Sequence, residues 1–272
     1  MDFIGPHTFN VGRFLVGFLT LLPFFLLFEL KNIKKKKIDS KKILSYLILL
    51  GFILGIGQAL QQISLIYTDV ANTGVFTVMY VLIVPFISYF IFSKKIHWSV
   101  WPAVIFCVVG GLLLSELKNV SVRFGDALGI LSAFCWAIHI IYISKIIKFF
   151  NFPITIAMSQ CFFAFLFTIL PMFVYENPLL SNVLKDLYEI LYVGILSSAL
   201  AFLLQTYTLQ NLTPAPAAIV FSLEGVFAAI FAWLILEQFL NEIKILGIFL
   251  ILFAVIFSQI MPIYDKKNYE RN

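Results

Sequence analysis

The chain has 272 residues, 61% hydrophobic and only 12% charged, with a mean hydropathy of +1.00. That composition excludes a soluble core under a polar skin and places the chain among integral membrane proteins. The formal charge of +5 does not point to nucleic acid, because most of the lysines sit in short segments between apolar runs, where they set topology.

Strands of alternating apolar and polar residues are absent, so the spans are expected to be α-helices that satisfy their own backbone groups. Hydropathy and the breaks between apolar runs give nine of them, at about His7–Phe28, Ile43–Ile66, Ala71–Phe92, Val100–Ser115, Phe124–Ile147, Phe152–Val174, Leu187–Thr206, Ala215–Leu236 and Ile243–Met261. The first has no charged leading segment and no small-residue cleavage site, so it is expected to stay in the protein.

Between the first two spans lie Lys31, Lys34, Lys35, Lys36, Lys37, Lys41 and Lys42, a cluster that the positive-inside rule puts in the cytoplasm. Alternation then places Lys94, Lys95, Lys145, Lys148 and the tail with Lys266, Lys267 and Arg271 inside as well, 14 of the 19 Lys and Arg. The opposite loops carry Lys118, Arg123, Lys185 and Lys244 against Asp69, Glu116, Glu176, Asp186, Glu237 and Glu242. Arg13, about two turns into the first span, has two readings, a side chain that snorkels to the outer interface and a substrate contact, of which the first is favoured.

Polar groups within the spans fall on stripes: Gly51, Gly55, Gln58 and Gln62; Gly125, Gly129, Ser132, Trp136 and His139; Gly194, Ser197, Ala201, Gln205 and Thr208; and Ala217, Phe221 and Glu224. Small residues at helical spacing suit close helix packing. For Gln58, Gln62, Gln205, Trp136 and Tyr80 two roles stay open, packing or lining a watery cavity for a zwitterion or an aromatic metabolite. His139 is of the residue type that exchanges a proton near neutral pH, although a lone histidine is more often a packing residue.

Leu212 to Glu237 is the stretch around which the chain is organised, and Glu224 is its only charge before Glu237. An ionised carboxylate in hydrocarbon is costly. Glu224 is therefore either a proton-binding site that couples transport to a proton gradient or a hydrogen-bonded tie between two helices. Thr73 to Phe92 has a similar layout, and Tyr67 to Pro85 spans the same 18 residues as Tyr207 to Gly225.

Cys107, Cys135 and Cys161 lie in apolar spans without ligand spacing and read as small hydrophobes, with no disulfide, metal or other cofactor. No phosphate-binding GxxxxGK[ST], HExxH or GxSxG sequence occurs, and intramembrane cations are nearly missing. These absences weigh against ATP-driven transport, membrane-embedded catalysis, and phosphorylated or nucleotide-sugar substrates.

Gly125-Asp126-Ala127-Leu128 followed by Trp136-Ala137 resembles the opening helix of the second half of the drug/metabolite transporter superfamily, EamA type. Pro6 with Phe9 and Arg13 resembles that family's second helix, and Pro153 with Gln160 occupies the matching place at the same seven-residue spacing. Leu223-Glu224-Gly225-Val226-Phe227-Ala228-Ala229, with Leu236-Glu237 closing the helix, resembles the ninth, which usually has Pro where Gly225 stands.

The resemblance implies two five-helix repeats of opposite orientation that alternate access. Here 1–119 is expected to be a four-helix first repeat short of the family's first helix, 124–262 a five-helix second repeat, and 263–272 a cytoplasmic tail. The sequence thus leads to an all-α polytopic permease of the cytoplasmic membrane. It would move a small organic solute, an amino acid or related metabolite by the resemblance, in the outward direction, with no nucleic-acid partner. The alternatives are an inactive or accessory nine-span protein and a membrane-embedded enzyme. Oligomeric state stays open between monomer and homodimer.

Overall fold

A computed structural model describes residues 3–35, 39–68, 70–91, 95–114, 123–237, 239 and 241–269. Lys36, Lys37, Asp69, Phe92, Lys94, Ser115, Glu116, Lys118 and Arg271, which enter the span and topology readings, lie outside the described residues.

Every element is helical: α1 Pro6–Lys35, α2 Ser40–Tyr67, α3 Val70–Val78, α4 Tyr80–Phe86, α5 Val100–Leu114, α6 Phe124–Phe149, α7 Pro153–Tyr175, α8 Leu180–Lys185, α9 Leu187–Asn211, α10 Pro214–Phe221, α11 Leu223–Leu236 and α12 Glu242–Tyr269. Among the described residues, seven helices are long and apolar enough to cross a bilayer, and Phe76–Phe90 and Val100–Leu114 are shorter apolar helices. The chain is an all-helical, multi-pass membrane protein. Several helices run past the expected span ends, α1 to Lys35 and α2 from Ser40, because lysine-rich turns continue a helix at little cost once it leaves hydrocarbon.

Three helices widen into π-turns, Phe25–Glu29 in α1, Ile87–Ile91 after α4, and Val193–Leu200 in α9. The first two begin two residues after Pro23 and Pro85, whose missing N–H and ring crowding disturb the regular ladder.

The described contacts separate two compact units, Met1–Ile63 with Tyr142–Asn211, and Ser64–Ile141 with Leu212–Asn272. In the first, α1 and α7 form an antiparallel pair that α9 flanks. Leu21, Ala157, Met158 and Ala199 make its buried seam, with Phe18, Leu22, Phe25 and Leu203 packed on it. Gly194 lets α9 approach α1: a Cβ there would stand 2.6 Å from Val16 side-chain carbons and 3.1 Å from the Arg13 carbonyl oxygen.

In the second unit α5 and α12 form the dominant pair, with α4 and α10 packed beside it. Gly110 and Gly247 face each other so closely that a Cβ on either would lie 2.8 or 2.7 Å from the other's carbonyl oxygen. In lipid, where apolar burial drives no association, such close backbone approach supplies packing contacts.

Candidate functional site

In the first unit the polar residues gather on Arg13. Its side chain is buried rather than snorkelling: Nε donates to Ser198 Oγ at 2.9 Å, Nη1 to Gln58 Oε1 at 3.2 Å and Nη2 to Ser197 Oγ at 3.0 Å. Three neutral acceptors drawn from α2 and α9 hold the guanidinium inside. Consecutive serines reach one guanidinium because they lie in the π-turn Val193–Leu200, whose extra residue per turn reduces the angle between neighbours. Ser197 itself is exposed.

Gln58 belongs to this cluster. Gln62, one turn further along α2, and Gln205 in α9 are half-buried, and the carbonyl oxygen of each side chain accepts no hydrogen bond. Asn10, one turn before Arg13, is fully buried with neither amide atom hydrogen-bonded. Sequence reasoning missed Asn10 and misplaced Arg13. The signal was present in the three-residue spacing that sets both on one face of α1.

The N-termini of α1 and α7 are held by carboxylates. Glu176 accepts from the His7 and Thr8 amides at 2.7 and 2.8 Å and from Thr8 Oγ1 at 2.6 Å. Glu29 accepts from the Ile154 and Thr155 amides at 3.0 and 2.7 Å and from Thr155 Oγ1 at 2.6 Å. Each carboxylate satisfies orphan first-turn N–H groups where the helix dipole favours negative charge.

In the second unit two apolar helices each carry one irregular turn. Met79 lies between α3 and α4 and Ser222 between α10 and α11, both with right-handed helical backbone, and Pro214–Ile235 still runs as one candidate span. The tightening bonds match: Met79 N–H donates to the Phe76 carbonyl and Leu82 to Met79, as Ser222 donates to Ile219 and Gly225 to Ser222, while Ser222 also keeps its helical bond to Ala218 and Ile83 its bond to Met79. The equivalent turns are therefore 143 residues apart, three more than the Tyr67 to Tyr207 spacing, which pairs Glu224 with Val81 and Gly225 with Leu82 instead of Pro85. The Ser222 hydroxyl bonds back to the Ile219 carbonyl at 2.6 Å, a local competitor of the helical ladder.

Glu224 stands in the first turn of α11 and is exposed. No hydrogen bond from a described residue reaches its carboxylate. Tyr80, the first residue of α4, is buried and is an electrostatic neighbour of Glu224. On α6, Trp136 and His139 meet edge to face with ring centroids 5.6 Å apart, and His139 is buried. The structure thus brings together Arg13 with Gln58 and Trp136 with His139. Among the described residues no group of His, Cys, Asp or Glu gathers that could hold a metal ion.

Both stretches of the chain that carry these features, residues 1–116 and 123–259, match the EamA-like transporter family. The chain belongs to that family. As an EamA-like transporter it is a membrane transporter that works on a small-molecule substrate within a lipid bilayer. It is 28% identical over 260 residues to an uncharacterized transporter of Archaeoglobus fulgidus, covering 94% of this chain and 77% of the relative. It is 25% identical over 256 residues to an uncharacterized transporter of Clostridium kluyveri, covering 90% and 80%. In fold the EamA-like chain resembles a protein of known crystal structure at a TM-score of 0.73, with 12% identity, over 94% of this chain and 89% of that one.

Proposed function

We propose that this EamA-like protein is a secondary transporter that carries a small organic metabolite, an amino acid or a close relative, outward across the cytoplasmic membrane by alternating access. The observation that carries the reading is the matched pair of tightened turns at Met79 and Ser222 in the second unit, with Glu224 exposed just after one of them. A short three-residue-type turn inside a helix often marks a functional hinge. Glu224 is the proton-coupling group; an exposed carboxylate that no described residue donates a hydrogen bond to supports that role over a tie between helices. Gln58, Gln62, Tyr80, Trp136, His139 and Gln205 line the substrate pathway.

Residues 1–119 and 124–262 act as two inverted repeats, with 263–272 as a cytoplasmic tail. The lysine distribution supports a cytoplasmic C-terminus. The test compares metabolites in the medium of cells making this protein with those of cells carrying an empty vector. Accumulation of one class of amino acid or related solute outside is the expected result, and matching media would remove the export reading.

A further inference from the structure

Arg13 is a cation enclosed in an apolar unit without an anion. It is 5% exposed, its hydrogen-bond partners are two hydroxyls and one amide oxygen, and no carboxylate among the described residues forms an ion pair with it. Enclosing an uncompensated charge is costly, and neutral acceptors offset only part of that cost. A guanidinium has five N–H groups. The three bonds to Ser198, Gln58 and Ser197 leave one N–H on each terminal nitrogen, donors from which a carboxylate can accept.

Two more observations point to a ligand. Asn10, on the same face of α1 one turn earlier, is fully buried with both amide atoms unspent, and such groups in native structures call for a partner. Ser197 is exposed while Ser198 beside it is buried, so the cluster has an open edge at Nη2. The π-turn that carries both serines is a feature frequent at functional sites.

We infer that Arg13, framed by Ser197, Ser198 and Gln58, takes the carboxylate of the transported solute. One guanidinium matches one carboxylate, which selects monocarboxylates and zwitterions over phosphate dianions. The inference deepens the proposed function and rests on its placing of Gln58 in the substrate pathway.

The full-length protein in detergent is heated with L-leucine, L-phenylalanine or L-glutamine, each beside its carboxamide, at equal chloride. At least one acid is expected to raise the melting midpoint at about tenfold lower concentration than its amide, the factor that one charge-assisted hydrogen bond contributes. Ser197→Ala should weaken that acid by about fivefold relative to the variant's own unliganded midpoint, and Arg13→Lys should weaken it more. Equal action of acids and amides, unaltered discrimination in both variants, or no shift with any acid at about 10 mM would overturn the inference. Binding without export would sink the proposed function alone, and export without acid-over-amide discrimination would sink this inference alone.

Discussion

Glu176 closes the N-terminus of the helix that carries Glu29, and Glu29 closes the N-terminus of the helix that Glu176 terminates. Each carboxylate lies 23 residues beyond the first-turn proline of its own helix, Pro6 or Pro153, and each takes a hydroxyl from the threonine two residues after the other helix's proline. The antiparallel pair α1 and α7 is thus pinned at both ends by the same three bonds. Those bonds fix the register of the helices that support the Arg13 cluster.

Glu29→Gln and Glu176→Gln should each lower the stability of the purified protein, by about 1–3 kcal/mol, because a charge-assisted acceptor becomes a neutral one. The effect should be larger at Glu29, which is buried where Glu176 is partly exposed. A separation of about 35 Å along the helix makes the two independent, so the double variant should be additive within about 0.5 kcal/mol. Chemical unfolding in detergent measures all three, and strong non-additivity would contradict two separate caps.

Gly110 and Gly111 are neighbours with opposite expectations. A Cβ at Gly110 meets the Gly247 carbonyl, whereas one at Gly111 meets nothing within 4 Å. Gly110→Ala should therefore force α5 and α12 apart and cost about 1–3 kcal/mol, while Gly111→Ala should be neutral or slightly stabilising, since alanine favours the helix. Melting midpoints of the two variants decide it, and equal losses would contradict the packing of this pair.

Composition was enough to read the all-helical membrane fold, because 61% hydrophobic residues in long runs leave few other structures. The polar stripes led to Gln58, Trp136 and His139 for the same reason, as helical spacing dictates which side chains share a face. The irregular turns at Met79 and Ser222 were hidden, since neither position carries a proline and the competing bond of the Ser222 hydroxyl is visible only in three dimensions. Arg13 was misjudged because distance from the span end says nothing of inward acceptors, and Ser197 and Ser198 converge on it only through a π-turn. The caps were legible in retrospect, from the repeated spacing of proline, threonine and glutamate.

The Ser222 hydroxyl competes for the Ile219 carbonyl. Ser222→Ala should regularise the turn between α10 and α11, raise stability by about 0.5 kcal/mol and slow transport, because the binding geometry depends on that turn. Paired melting and flux measurements test it. Faster flux in a more stable variant would show that the turn is incidental.

The central claim is that a proton on Glu224 drives solute across the membrane. The direct measurement is flux of the exported solute in proteoliposomes under an imposed pH gradient, wild type against Glu224→Gln, at equal reconstituted protein. The account predicts gradient-driven accumulation with the wild type and its loss in Glu224→Gln, which still inserts. Undiminished gradient-driven flux in Glu224→Gln would contradict it and remove Glu224 from the mechanism.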